Sequence, residues 1–229
     1  MPNFSQFESK IGVTFKDRRL LETAFTHRSY LNENRHSGRE HNERLEFLGD
    51  AVLELAVTEF LFAKYPQKPE GDLTAYRAAL VNTQSIAACA SVLGMNEYLL
   101  LSRGEAKDTG RARQIILANA FEAVIGAIYL DRGYEIARDF IAAQLYEKVD
   151  EVVEKRLWQD SKSRFQEIVQ EKESVTPTYQ LVGQNGPDHD KSFTVGAFIG
   201  RERVALGEGR SKQEAEQQAA ENALKAKGW

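Results

Sequence analysis

The chain of 229 residues has a single cysteine, Cys89, and only five prolines. One cysteine excludes an intramolecular disulfide and any zinc site built from several thiolates, so no covalent cross-link stabilises the fold. Basic residues are not in excess either, because 30 lysines and arginines stand against 34 aspartates and glutamates, a net charge of −4. Total charge therefore does not favour a polyanionic ligand.

A long uninterrupted apolar run is also missing. The most apolar stretch, Ile115–Leu130, contains Asn119 and Glu122, whereas a membrane-spanning helix needs about 20 predominantly apolar residues. Residues Met1–Lys10 lack the apolar core of a secretory signal. We therefore predict a cytoplasmic protein without a membrane partner. Its 42% of hydrophobic residues are nevertheless enough for a packed core.

Helical periodicity dominates the first two thirds of the chain. Apolar residues recur every three or four positions from Phe4 to about residue 157, most clearly over Glu46–Lys64, and Pro66 ends that helix. Further helices are predicted over Leu73–Val81, Thr83–Leu93, Ala112–Leu130 and Tyr134–Arg156. We predict an all-α domain over residues 1–157.

The periodicity changes after residue 157. Asp160 is placed to cap a helix that runs to about Glu173. Ser211 and Glu214 have the spacing of a capping box at the start of a last helix. Between these helices, stretches with β-type residues occupy Thr178–Val182, Lys191–Ile199 and Arg203–Leu206. The order α-β-β-β-α over residues 158–229 predicts a small α+β domain.

Acidic side chains are concentrated near the start of the helix over 46–64. Glu46 and Asp50 are four positions apart and project from one face, with Glu43 one turn earlier. Asn119 and Glu122, three positions apart, share a face of a second, otherwise apolar helix. Two carboxylates about 4 Å apart repel by roughly 4 kcal/mol at an effective dielectric of 20. A divalent cation relieves that repulsion, and oxygen donors of this kind suit Mg²⁺.

Spacing alone leaves other interpretations open. Acidic pairs four residues apart are common at solvated helix starts, and Asn119 and Glu122 could equally form hydrogen bonds within the core. A di-iron carboxylate bundle is a further alternative, but it requires a pair of Glu-x-x-His units on core helices. The one such unit in the chain, Glu33–His36, lies in a polar stretch.

Residues 43–50, Glu-Arg-Leu-Glu-Phe-Leu-Gly-Asp, closely resemble the signature of the ribonuclease III family. Further segments agree in order and spacing: Thr26–Tyr30, Glu70–Leu73 with Arg77, Ser102–Glu105, and Ile116–Asn119 ahead of Glu122. The resemblance implies an endoribonuclease that cleaves double-stranded RNA by Mg²⁺-dependent hydrolysis and leaves 5′-phosphate and 3′-hydroxyl ends. It also implies a role in rRNA and mRNA processing, and Mn²⁺ is expected to substitute for Mg²⁺.

The resemblance also implies the site residues, position by position. The positions of metal ligands are occupied by Glu46, Asp50, Asn119 and Glu122. The residues implied to act in catalysis are Asp50, Glu122, Glu43 and Glu70.

Two of the matching positions need separate comment. Phe47 matches a phenylalanine that inserts into a partner subunit, which implies a homodimer, whereas core packing is the alternative for this side chain. Asn119 stands where the family more often has aspartate, and an amide oxygen contributes no charge. The chain is then an active natural variant, a deliberately weakened protein, or a double-stranded RNA-binding dimer that has lost catalysis.

The carboxy-terminal segment resembles a double-stranded RNA-binding domain. Such a domain needs probes for two minor grooves of the duplex and a clamp for the phosphates between them. The matching residues are Gln166 and Glu167 on the first helix, His189 in the turn between strands, and Arg210, Ser211 and Lys212 at the start of the last helix. Gly207 and Gly209 are interpreted as letting the backbone approach RNA. Gln213 stands where a second basic residue is usual.

Overall fold

The structure is a computed structural model that describes residues 2–155, 158–187 and 191–229. The chain divides into two compact units, Met1–Trp158 and Gln159–Trp229. The first is helical and the second is α+β, which confirms the predicted fold classes. The predicted junction between residues 157 and 158 adjoins residues outside the described ranges and stays a prediction.

The described residues of the first unit form nine α-helices and two short 3₁₀ turns. The helices are α1 (Phe4–Ile11), α2 (Arg18–Ala24), α3 (Arg28–Glu33), α4 (Glu43–Lys64), α5 (Glu70–Leu80), α6 (Thr83–Val92), α7 (Arg111–Arg132), α8 (Tyr134–Leu145) and α9 (Lys148–Glu154). The 3₁₀ turns, Met95–Glu97 and Glu105–Lys107, lie between α6 and α7.

Helices α4 and α7 form the centre of this unit and cross at two glycines. A Cβ atom added to Gly49 would lie 1.7 Å from the backbone oxygen of Glu122, and one added to Gly126 would lie 2.2 Å from the backbone oxygen of Leu45. Since no side chain fits in these gaps, the two backbones are in direct contact. The glycines thereby set the distance between the acidic residues of the two helices.

Helix α7 is long and predominantly apolar. By length and composition it could cross a membrane, but 61% of its most apolar window is buried within the unit. Its residues from Ala123 to Ile128 are all buried. The helix is therefore packed as the core helix of this unit.

The predicted helix over Tyr134–Arg156 is wrong in one respect, because α8 ends at Leu145 and α9 begins at Lys148. Tyr146 lies at the break. Its ring stacks on Phe60 with centroids 3.7 Å apart, and its hydroxyl donates to the backbone oxygen of Ala56 at 2.9 Å. These contacts with α4 fix the turn between α8 and α9, and helical periodicity cannot reveal them.

The second unit has the predicted order of elements. These are α10 (Ser161–Glu173), β1 (Thr178–Asn185), β2 (Ser192–Ile199), β3 (Glu202–Gly209) and α11 (Lys212–Lys227), with the strands forming an antiparallel sheet in the order β1-β2-β3. Both predicted caps are present: Asp160 accepts from the Ser163 N–H at 3.0 Å, and Ser211 from the Glu214 N–H at 3.1 Å. Strand β1 is longer than predicted because the ladder resumes at Gly183 after an irregularity.

Gly207 and Gly209 have a packing role that the sequence did not suggest. A Cβ atom on Gly207 would lie 2.1 Å from the backbone nitrogen of Ala219, and one on Gly209 would lie 2.6 Å from that of Ala215. Both glycines therefore allow β3 to pack directly against α11. Their close backbone approach in this structure is to this helix, and a further approach to RNA stays a prediction.

Candidate functional site

The candidate site lies where α4 crosses α7. Glu46 and Asp50 flank the crossing on α4, and Asn119 and Glu122 lie on the facing part of α7. Gly49 contacts the backbone of Glu122 itself, so the acidic residues of the two helices are held together by backbone packing. The structure thus brings together all four positions expected to hold a metal.

Glu122 shows the strongest electrostatic effect of the cluster. Burial among the apolar residues of α7 raises the pKa of its carboxyl to about 7, and the charges of Asp50 and Glu46 act in the same direction. Burial disfavours the ionised form, and nearby negative charges do so too. Strongly perturbed carboxyl groups of this kind are typical of functional sites.

Glu46 is perturbed in the same direction. Burial is the main reason that its pKa is raised, and the charge of Glu43 adds to the shift. A side-chain hydrogen bond with Asn119 opposes it, while Asp50 raises it slightly. Asn119 therefore supplies an amide donor to an acidic cluster in which a further carboxylate would add repulsion.

The donor set fits a hard divalent cation by its chemistry, because it consists of three carboxylates and one amide, all of them oxygen donors. Accumulated negative charge at partly buried positions also favours a cation. However, within the described residues no group of three or more His, Cys, Asp or Glu side chains has converged into metal-binding geometry. The assignment of Glu46, Asp50, Asn119 and Glu122 as ligands therefore stays a prediction.

The other two predicted acidic residues differ in location. Glu43 begins α4 beside Glu46, and its charge acts on Glu46 directly. Glu70 begins α5, where its carboxylate accepts a hydrogen bond from the Thr74 hydroxyl at 2.9 Å and lines a separate groove with Phe62. The hydrogen-bond partner of Glu70 is thus a side chain of α5 outside the cluster, and the groove beside it is shared with α4.

Phe47 does not pack in the core. Its side chain is 82% exposed, on the same helix as the acidic cluster. Leu55 and Phe62, also exposed, continue an apolar stripe along α4. Next to Phe47, a groove of about 600 Å³ is lined by Leu20, Leu45, Leu48 and Leu130.

The pKa of Glu122 leads to a prediction for the metal-free protein. Its carboxyl binds a proton more tightly in the folded than in the unfolded state, so the free energy of unfolding should fall as pH rises from about 4.5 to about 7. The loss should amount to about 3 kcal/mol or less. Urea unfolding in EDTA across this range would measure it, and Glu122→Gln should remove this component. An identical pH dependence in both proteins would contradict the shift.

The α+β unit carries the predicted RNA-binding residues on its surface. Gln166 and Glu167 are exposed on α10, where they line a shallow groove with Ser163 and Gln170. Arg210 and Lys212 are exposed at the start of α11, and the Ser211 hydroxyl caps that helix. His189 lies outside the described residues. The assignment of all these residues to RNA binding stays a prediction.

Sequence reasoning missed one contact at the site. Arg28 of α3 forms an ion pair with Glu43, with Nη1 and Oε1 3.3 Å apart. Arg28 lies in the segment Thr26–Tyr30, which the sequence singled out without assigning it a role. Only the tertiary packing of α3 beside α4 shows which side chain it meets.

Comparison with known proteins covers both units. Residues 17–149 match the family model described as Ribonuclease-III-like, and residues 161–227 match the double-stranded RNA binding motif. The chain is 46% identical over 222 residues to Ribonuclease 3 of Bacillus cereus (strain G9842), which covers 97% of this chain and 90% of that protein. It is 43% identical over 225 residues to Ribonuclease 3 of a Nitratiruptor species, and this match covers 98% of this chain and 97% of that protein.

A solved structure is similar to the helical unit. The nuclease domain of ribonuclease III from Campylobacter jejuni matches with a TM-score of 0.57 and 44% sequence identity, covering 64% of this chain and 97% of that one. At this identity the likeness extends to sequence as well as to fold.

Proposed function

Because the chain belongs to the ribonuclease III family, we propose that it hydrolyses double-stranded RNA at the acidic cluster between α4 and α7, leaving 5′-phosphate and 3′-hydroxyl ends. The observation that supports this best is the crossing of α4 and α7, where Gly49 packs on the Glu122 backbone and brings the acidic residues of the two helices together. We further propose that Mg²⁺ or Mn²⁺ is required, that rRNA and mRNA precursors are substrates, and that the protein acts in the cytoplasm, where a free Cys89 thiol is stable.

The residues of the cluster share one part in this mechanism, and Glu122 and Asn119 each have a second one. Glu46, Asp50, Asn119 and Glu122 would hold the cation, which when bound acts as a Lewis acid on the phosphate and lowers the pKa of a bound water. Below about pH 7, and without the cation, the Glu122 carboxyl holds a proton that limits its repulsion with Asp50. Asn119 orients Glu46 through its amide hydrogen bond. Buried apolar residues of α7 shield the inner side of the cluster from water.

Cleavage of a long RNA duplex tests the proposal directly. The protein should cleave in Mg²⁺ or Mn²⁺ and be inert in EDTA. Its products should be labelled by polynucleotide kinase only after phosphatase treatment, since their 5′ ends carry phosphate. Asn119 motivates an alternative function, binding without catalysis. Duplex binding without cleavage in either metal ion would support that alternative and contradict the proposal.

We propose that the active form is a homodimer joined through the exposed stripe of α4. The Campylobacter jejuni nuclease-domain structure is described as flexible in a region involved in dimer formation. In this chain Phe47, 82% exposed beside an apolar groove, has the character of an interface anchor. A second copy would cover both Phe47 and the groove.

Phe47→Glu should shift the protein towards monomers, with the dimer dissociation constant raised roughly 30-fold or more, since anchor residues contribute about 2 kcal/mol or more. Sedimentation velocity over a concentration series would measure the shift. Val92→Glu is the matched control because Val92 is 79% exposed on α6. An equal dimer constant for wild type and Phe47→Glu would exclude this interface.

Double-stranded RNA binding by the α+β unit depends in our proposal on the start of α11. Lys212→Ala should weaken binding about equally for all duplex sequences and reduce the slope of log affinity against log salt by roughly 1, because one phosphate contact is lost. Fluorescence anisotropy at several salt concentrations would measure both quantities. Lys225→Ala, on the same helix but paired with Glu221, is the control. An unchanged slope would contradict the clamp.

A further inference from the structure

The segment Thr26–Tyr30 contributes a charged side chain to the edge of the acidic cluster. We propose that Arg28 is a positioning residue that holds the Glu43 carboxylate in place for RNA cleavage. The proposal rests on the proposed endoribonuclease function and on the part in catalysis that the ribonuclease III resemblance implies for Glu43. It assigns a role to a segment that the cleavage mechanism otherwise leaves unused.

The ion pair joins two separate helices. Arg28 Nη1 of α3 lies 3.3 Å from Glu43 Oε1 of α4, and the other carboxylate oxygen lies 3.7 Å from Nδ1 of His41. The Arg28 side chain is 70% exposed and that of Glu43 is 46% exposed. Pairs as exposed as this contribute little to stability, so we infer that its main consequence is the orientation of Glu43.

The backbone on both sides of the ion pair is held firmly. The buried Thr26 accepts a hydrogen bond at its backbone oxygen from the N–H of Asn42, the residue before Glu43, at 2.9 Å. The His27 N–H donates to the Leu100 backbone oxygen at 3.1 Å, and the Ser29 hydroxyl accepts from the Ser102 N–H at 3.1 Å. The backbone segments that carry Arg28 and Glu43 are therefore both held in place by hydrogen bonds.

The location of Glu43 makes its orientation matter. Its charge acts on Glu46, so the two carboxylates are near neighbours at the start of α4. A half-exposed glutamate without a partner samples several rotamers. An error of about 1 Å in the placement of a reacting or orienting group can cost roughly 100-fold in rate. A residue that fixes Glu43 can thus affect the rate without touching RNA.

A double-mutant cycle tests this role. With Mg²⁺ saturating and the RNA concentration varied from below to above KM, Arg28→Ala should lower kcat roughly 10-fold with little change in KM, within the range expected for a misplaced group. Introduced into Glu43→Ala, the same change should cause no further loss, because the group it positions is gone. Arg28→Lys should retain part of the activity. Equal losses in both backgrounds would overturn the proposal.

One control variant and two further measurements separate positioning from other roles of Arg28. Arg35→Ala removes a positive charge from the loop that follows α3 and reports the effect of charge alone. If Arg28→Ala raises KM and flattens the salt dependence with kcat unchanged, Arg28 binds phosphate and the proposal is wrong. If wild type does not cleave, the proposed function fails. A crystal structure of Arg28→Ala then decides, since an unmoved Glu43 carboxylate overturns the positioning role and a displaced one supports it.

Discussion

Glu122→Gln should reduce the rate of RNA cleavage in Mg²⁺ by roughly 10³-fold while duplex binding persists. Glutamine keeps the shape of the side chain but removes its charge from the cluster with Asp50 and Glu46. Electrostatic stabilisation through a bound cation is worth several kcal/mol in the transition state, and each 1.4 kcal/mol or so corresponds to a factor of ten in rate. Single-turnover cleavage of a long duplex would measure the loss.

The variant is informative because it should not damage the fold. Glu122 is partly buried and repelled by two neighbouring carboxylates, so a neutral isostere relieves repulsion in the metal-free protein. Binding is assigned to the separate α+β unit and should be unchanged in an anisotropy titration. Glu97→Gln, the same change at an exposed position, is the control. Cleavage at the wild-type rate by Glu122→Gln would remove Glu122 from the catalytic machinery.

Much of the architecture could be predicted from local pattern. The caps of Asp160 and Ser211, the helical stripe of α4 and the α-β-β-β-α order each depend on neighbours within a few residues, and all are present. The break at Tyr146 depends instead on Phe60 and Ala56, which are about 90 positions away in the chain. Periodicity carries no information about such partners, so a single long helix was predicted.

The candidate site also combines features that local sequence patterns predict with features that depend on distant residues. Spacing within α4 and α7 indicates which side chains share a face, but it does not indicate that the two faces meet. The meeting is set by Gly49 and Gly126, whose lack of side chains is inconspicuous in the sequence. Exposure of Phe47 was equally undetermined, since an aromatic residue on an amphipathic helix is typical of a core. The ribonuclease III resemblance implied both the meeting of the two faces and the exposure of Phe47, because a family signature reflects residues that come together in the fold and not only neighbours within one helix.

A substitution at the glycine crossing of α4 and α7 should have a large effect on both stability and cleavage. Gly49→Ala should destabilise the helical unit by about 3 kcal/mol or more, at the upper end of the range for overpacking. The added Cβ would lie 1.7 Å from the Glu122 backbone oxygen, whereas non-bonded heavy atoms normally stay about 3.5 Å apart. Helices α4 and α7 would have to separate by roughly 1.5 Å or more. That movement also displaces Glu122 from Asp50, so cleavage should fall about 100-fold even in the folded fraction.

Intrinsic fluorescence allows the measurement in the full chain, because the tryptophans lie in different units. Trp158 contacts Tyr76 in the helical unit, with ring centroids 5.1 Å apart, and Trp229 packs near Phe165 in the α+β unit. In a Trp229→Phe background, urea unfolding followed by fluorescence excited selectively at tryptophan reports on the helical unit, since Trp158 is then the one tryptophan left. Gly71→Ala is the matched control, since a Cβ there meets no atom within 4 Å. It should raise stability by up to about 1 kcal/mol, because alanine is the better helix former. If Gly49→Ala behaved like Gly71→Ala in stability and in cleavage, direct backbone contact between α4 and α7 would not be what holds the acidic cluster together.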